Sequence, residues 1–109
     1  MEELYKRIKK RRLDLGMSQE ELARQAGYTS RSTIARIEHG EINLPQSKVI
    51  DIAAALKISP SYLYGWEDEE IAIFTARQEE TMAKFFCLTE ANQILIDKFI
   101  DSLLEQQKG

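Results

Sequence analysis

Residues 18–40, SQEELARQAGYTSRSTIARIEHG, decide how this chain folds. Ser18 is suited to cap a helix, and Glu21 three residues later completes a capping box. A helix over about Gln19 to Ala26 follows, with Leu22 and Ala23 turned inward. Ala23 is small where a neighbouring helix must cross closely. Gly27 supplies a sharp turn, since positive φ is cheap only for glycine. A second helix begins near Ser30 or Arg31, capped by Thr29 or Ser30, and Gly40 stops it. Ile34 and Ile37 on this helix face a core, while Arg31, Ser32, Ala35 and Arg36 lie largely on the other side.

The flanking sequence continues in the same manner. A helix over about Glu2 to Leu15 carries Leu4, Ile8, Arg12 and Leu15 on one stripe and ends at Gly16. After a loop over Glu41 to Gln46, a helix from Ser47 to Leu56 buries Val49, Ile52, Ala53 and Leu56. Ile58 packs beneath it, and Ser59-Pro60 opens a fifth helix with a cap and a proline in the first turn. Tyr62, Leu63 and Trp66 are expected to close the core. The acidic run Glu67 to Glu70 reads as a solvated linker, giving two parts, residues 1–66 and 67–109. Ile71 to Cys87 is read as helix from the spacing of Ile71, Phe74, Gln78, Met82 and Phe85, although Ile71 to Phe74 also suits an extended run. Thr89 caps a last helix, with Leu88 as a staple. Ile96, Phe99, Ile100, Leu103 and Leu104 form its apolar stripe, up to about Gln106. The fold class is therefore all-α: five helices in a compact unit, followed by a helical tail.

The net charge of −3 argues against a nucleic-acid binder only until the chain is divided. Residues 1–65 hold 11 Lys/Arg against 8 Asp/Glu, and residues 66–109 hold 4 against 10. A mildly basic first part with an acidic second part suits a DNA face whose tail is kept away from phosphates. One Cys and one His exclude an intrachain disulfide and an all-N/S tetrahedral metal site, and no cofactor is expected. The longest apolar run, Ile52 to Leu56, cannot span a bilayer, and no signal-peptide pattern opens the chain. A cytoplasmic protein without membrane partners is expected. No paired carboxylates, nucleophile–base set or phosphate loop stands at a recognisable spacing, so an enzyme is not expected.

A scaffold helix, a bend and a helix with a polar leading edge are what the DNA major groove admits. Residues 4–66 resemble the lambda-type repressor and Cro family, often called the Xre-type helix-turn-helix. The resemblance rests on Ile8 with Arg12, Gly16, Ser18 to Ala23, Gly27, Ile34 with Ile37 and Glu38, Gly40, Pro45, Ala53 with Leu56, and Ser59 before Tyr62 and Leu63. One departure lies between Gly27 and Ile34, which are seven residues apart where the family commonly has six. The turn must bulge or the helix must begin with an added residue.

The resemblance implies that Gln19 lies near the DNA backbone or a base edge, and that Arg31, Ser32 and Arg36 form the exposed face of the recognition helix. Arginine independently suits this role, because its planar fork can grip guanine O6 and N7. For Thr29, Ser30 and Ser32, helix capping and DNA contact stand as equal readings. Asn43, Gln46, Ser47 and Lys48 match the loop that follows the DNA backbone, and His39 is either a phosphate contact or a surface residue. Most of the basic run Lys6 to Arg11 is expected on a solvated face. The resemblance also implies a partly buried Arg12–Glu38 ion pair holding the first helix against the third.

These readings point to a transcriptional regulator, a repressor that binds a palindromic DNA operator as a homodimer. Ile96, Phe99, Ile100, Leu103 and Leu104 would form the dimer surface. The alternative is a protein-binding module, an antitoxin for example, whose tail holds a toxin or antirepressor.

Overall fold

A computed structural model describes residues 2–108, which form seven helices and no strand. They are α1 (Glu2–Asp14), α2 (Gln19–Gln25), α3 (Arg31–Glu38), α4 (Gln46–Ala55), α5 (Pro60–Leu63), α6 (Glu69–Phe86) and α7 (Glu90–Lys108). The backbone divides into two compact units, the first ending at Arg77 and the second beginning at Gln78.

Local signals account for the helix ends of the first unit. Ser18 Oγ accepts the backbone N–H of Glu21 at 3.0 Å. The Glu21 carboxylate accepts from Gln25 Nε2 at 3.3 Å instead of reaching back to the cap. Ser30 caps α3 and Ser59 caps α5, each accepting the N–H two residues on. Pro45 stands before α4 with no side-chain cap, and its fixed φ of −67° favours the entry. At the end of α2, Tyr28 N–H donates to Ala23 C=O at 2.8 Å and Gly27 N–H to Arg24 C=O at 3.3 Å. This wrapped closure requires the left-handed backbone of Gly27, φ +84°.

Ile8, Leu22, Ile34, Ile37, Val49, Ile52, Leu56 and Leu63 are fully buried and form the centre of the core. Each contributes about 1.5–3 kcal/mol of burial against the entropy of ordering the chain. The sequence reading fails at two flanking positions. Leu15 lies beyond α1 and is exposed, since Gly16 turns the chain there. Trp66 does not close the core: it is 77% exposed and stacks on Tyr64 with ring centroids 4.7 Å apart. Gly65, φ +81°, turns Trp66 away from the core that Tyr62 and Leu63 enter.

Residues 71–74 are helical, not extended. The acidic run opens α6, with Asp68 Oδ1 accepting Glu70 N–H at 3.0 Å. Glu69 lies 3.2 Å from Lys10 Nζ on α1. Hydrogen bonds to Asp14 and Glu69 hold the Lys10 ammonium above the usual lysine range. Ser59 N–H donates to the Ala72 carbonyl at 3.2 Å, and Ala72 is fully buried. The first turns of α6 thereby belong to the first unit.

In the second unit, Thr89 Oγ1 caps α7 by accepting Asn92 N–H at 3.3 Å, and α7 buries none of its residues. No helix among the described residues is long and apolar enough to cross a membrane.

Candidate nucleic-acid interface

The helix pair α2–α3 presents one end of α3 to solvent because its opposite side is locked inward. Ile34 and Ile37 have no solvent exposure. Arg31, Ser32 and Arg36 are exposed, as are Thr29 and Ser30 ahead of the helix. The seven-residue interval from Gly27 to Ile34 is absorbed before α3, which begins at Arg31, not within it. Tyr28 packs partly against the core, and Thr29 and Ser30 bridge from it to the helix.

Ser30 is bound locally. Its Oγ accepts Ser32 N–H at 3.1 Å and lies 2.7 Å from Ser32 Oγ. Ser30 Oγ is the cap and Ser32 Oγ is tied to it, while the Thr29 hydroxyl ahead of the helix is exposed. An open cleft of about 790 Å³ flanks the start of α3, lined by Ser18, Glu20, Glu21, Ala23, Arg24 and Tyr28 to Arg31. Its mixed walls, two carboxylates on α2 and guanidinium groups at Arg24 and Arg31, do not form a simple anion pocket.

Behind this face sits a buried polar junction. Arg12 donates through Nε to Glu38 Oε2 at 2.7 Å and through a terminal nitrogen to Oε1 at 3.1 Å. Its other terminal nitrogen donates to the Met17 carbonyl at 2.8 Å. The two charged side chains are 8% and 3% exposed. Gln19, expected at the DNA backbone, is half-buried and donates Nε2–H to Glu38 Oε1 at 3.2 Å. One N–H of its amide is thus committed to Glu38, while the amide retains a second N–H and a carbonyl oxygen. The junction ties α1, the start of α2 and the end of α3 to one carboxylate.

Arg11, placed with the solvated basic run by the sequence reading, is instead buried. Its Nε–H donates to the Leu56 carbonyl at 3.0 Å, satisfying the end of α4 with a cation where the helix dipole favours one. The i, i+3 relation to Ile8 was the available signal.

After α3, the Tyr5 hydroxyl donates to the Ile42 carbonyl at 2.9 Å and fixes the loop that carries exposed Asn43. Gln46, Ser47 and His39 are exposed. Lys48 Nζ lies 5.1 Å from the centre of the Tyr28 ring and 3.8 Å from Asp51. Burial first, and then the Asp51 carboxylate, pushes the Tyr28 hydroxyl above the usual phenol range. Sequence reasoning missed Tyr28, because nothing local shows that α4 starts beside the turn. If Lys48 meets a phosphate, Lys48→Ala reduces the slope of log affinity against log salt by about 0.9. Titrations of DNA at several salt concentrations measure this slope, and an unchanged slope removes Lys48 from the contact.

The model for the family described as Helix-turn-helix matches residues 8–63, about half of the chain. The chain belongs to the helix-turn-helix family. Its type is that of the lambda-repressor-like, or Xre, domains, and it is followed by further helices. No curated protein and no solved structure matches the chain. The helix-turn-helix domain is that of DNA-binding transcriptional regulators, a family of binding proteins and not of enzymes. Among the described residues no group of His, Cys, Asp or Glu could hold a metal ion.

The residues expected to form a dimer surface, Ile96, Phe99, Ile100, Leu103 and Leu104, all lie on α7 and are between 39% and 61% exposed.

Proposed function

We propose that this helix-turn-helix protein is a cytoplasmic repressor that binds a palindromic DNA operator as a homodimer. The carrying observation is the exposed polar edge of α3, Arg31, Ser32 and Arg36, backed by the buried Ile34 and Ile37. Residues 1–66 form the DNA-binding part and residues 67–109 the tail that joins two copies. Arg31 and Arg36 read base edges, where a bidentate contact to guanine discriminates by about 1–3 kcal/mol. Ser32, with Ser30, orients the leading turn, and Thr29 contacts a base or a phosphate. Gln19, Asn43 and Lys48 set the register on the backbone without reading sequence. Repression follows from occupancy of a promoter and needs no cofactor. Two copies related by a twofold axis place their recognition helices one DNA turn apart, about 34–36 Å.

Selection of bound fragments from a random DNA library tests this directly: inverted repeats spaced by about one turn support the reading, and fragments without a common sequence defeat it. With the selected operator in hand, Arg36→Ala is expected to lose about 5- to 150-fold in affinity for that operator and much less for random DNA. Equal losses on both DNAs, measured by fluorescence anisotropy, reassign Arg36 to a phosphate.

A second reading draws on the uncovered α7 face: a toxin or antirepressor binds there. Co-purification with a small basic protein, lost on Ile100→Asp, would favour it.

A further inference from the structure

We propose that α6 and α7 from two copies of this chain assemble as one four-helix bundle, so that the dimer surface includes the last turns of α6 and is not confined to α7. The inference rests on the dimer reading above and specifies how that dimer is built.

The second unit has no core of its own. Not one described residue from Gln78 to Lys108 is buried, and only Phe85 and Gln93 are half-covered. Gln93 Nε2–H donates to the carbonyls of Phe85 at 3.0 Å and Leu88 at 3.4 Å, so the turn between the helices is fixed while their apolar faces stay open. Helices of this length draw their stability in water chiefly from packing an apolar face. Phe86 is 70% exposed and Phe99 61%. Ten large apolar side chains between Met82 and Leu104 are more than a third exposed. Without Ile94, which lies on the Glu105–Lys108 side of α7, they offer on the order of 800 Å² per copy, which is what one partner contributes to a stable interface. A monomer rarely carries such a patch uncovered.

The distribution of these residues identifies the bundle. At about 100° per residue, Leu95, Ile96, Phe99, Ile100, Leu103 and Leu104 span about half the circumference of α7. A two-stranded coiled coil needs only two positions in seven. An arc this wide must touch more than one neighbouring helix. A second α7 can cover only part of it, and another apolar helix is required. The end of α6 supplies one: Met82, Phe85 and Phe86 fall within about 100° of each other. The Glu80–Lys84 ion pair, 3.5 Å, lies on the opposite side of α6, and the Glu105–Lys108 pair, 3.8 Å, lies opposite the apolar arc of α7. The chain does not cover its own α7 with its own α6, since both faces remain exposed. A second copy brings both missing faces in matched area, as a self-complementary twofold contact requires.

Sedimentation equilibrium of the full-length chain tests the proposal, using the wild type, Ile100→Asp on α7, and the pair Met82→Asp and Phe86→Asp on α6. The wild type is expected to be a dimer at micromolar concentration. The α7 variant and the α6 double variant are each expected to raise the dimer Kd by at least about 100-fold, and Phe86→Ala by about tenfold or more. Circular dichroism melting of the first unit's core shows whether each variant still folds, and the mild Phe86→Ala variant keeps the test decisive if the aspartates do not. If Ile100→Asp dissociates the dimer while both α6 variants keep the wild-type Kd, the interface is α7 alone. The bundle is then wrong, while the dimeric repressor stands. A wild type that is monomeric at tens of micromolar yet binds its operator overturns the bundle and the dimer together.

Discussion

Glu38→Ala is expected to lower the unfolding free energy of this protein by about 3–5 kcal/mol, the cost of leaving one member of a buried pair without its partner. The carboxylate takes two hydrogen bonds from Arg12 and one from Gln19. Truncating it leaves a guanidinium in a site where the arginine side chain is only 8% exposed. A domain of this size has about 5–15 kcal/mol in total, so the variant stands near the limit of folding. Urea unfolding followed by far-ultraviolet circular dichroism measures the loss. The cause is separable from simple loss of attraction. Replacing both partners by methionine removes the uncompensated charge, so Arg12→Met with Glu38→Met is expected to be more stable than Glu38→Ala. A double variant as unstable as the single one would show that the pair contributes attraction beyond its cost of burial.

Deleting residues 88–109 is expected to leave a folded monomer whose operator affinity falls by about 10²–10⁴-fold. Every fully buried large side chain lies at or before Leu63, so the deletion removes no core. What it removes is the α7 face, and with it the linkage that turns the second half-site contact into an intramolecular event. Sequence preference within one half-site should survive. Sedimentation and anisotropy on the same preparation decide the matter: a truncated chain that still sediments as a dimer places the interface elsewhere.

Much of this molecule is legible in its sequence because its strongest signals are local. Ser18, Ser30 and Thr89 cap helices with their own hydroxyls, and Gly27 ends α2 through a backbone that other residues rarely adopt. Ile34 and Ile37 at helical spacing settle which edge of α3 faces outward. The Arg12–Glu38 pair spans 26 residues and was visible only through the family resemblance. What escaped is what depends on distant partners. Arg11 belongs to a basic run expected mostly on a solvated face, yet its guanidinium terminates α4, 45 residues away. Gln19 is expected at the DNA backbone or a base edge, and its bond to Glu38 depends on how α2 crosses the end of α3. The Lys48–Tyr28 contact requires knowing where α4 begins beside the turn. The acidic run before Ile71 read as solvated linker because Lys10, its partner, lies 59 residues earlier in the chain than Glu69.

Trp66 is the only tryptophan in the chain, and it lies on the surface. An indole already in water emits at long wavelength whether the protein is folded or not, so its fluorescence is a poor monitor of core melting. It is well placed for another purpose: any molecule that settles over the Tyr64–Trp66 stack would shift that emission to the blue, giving a label-free optical sensor of whatever docks on this side.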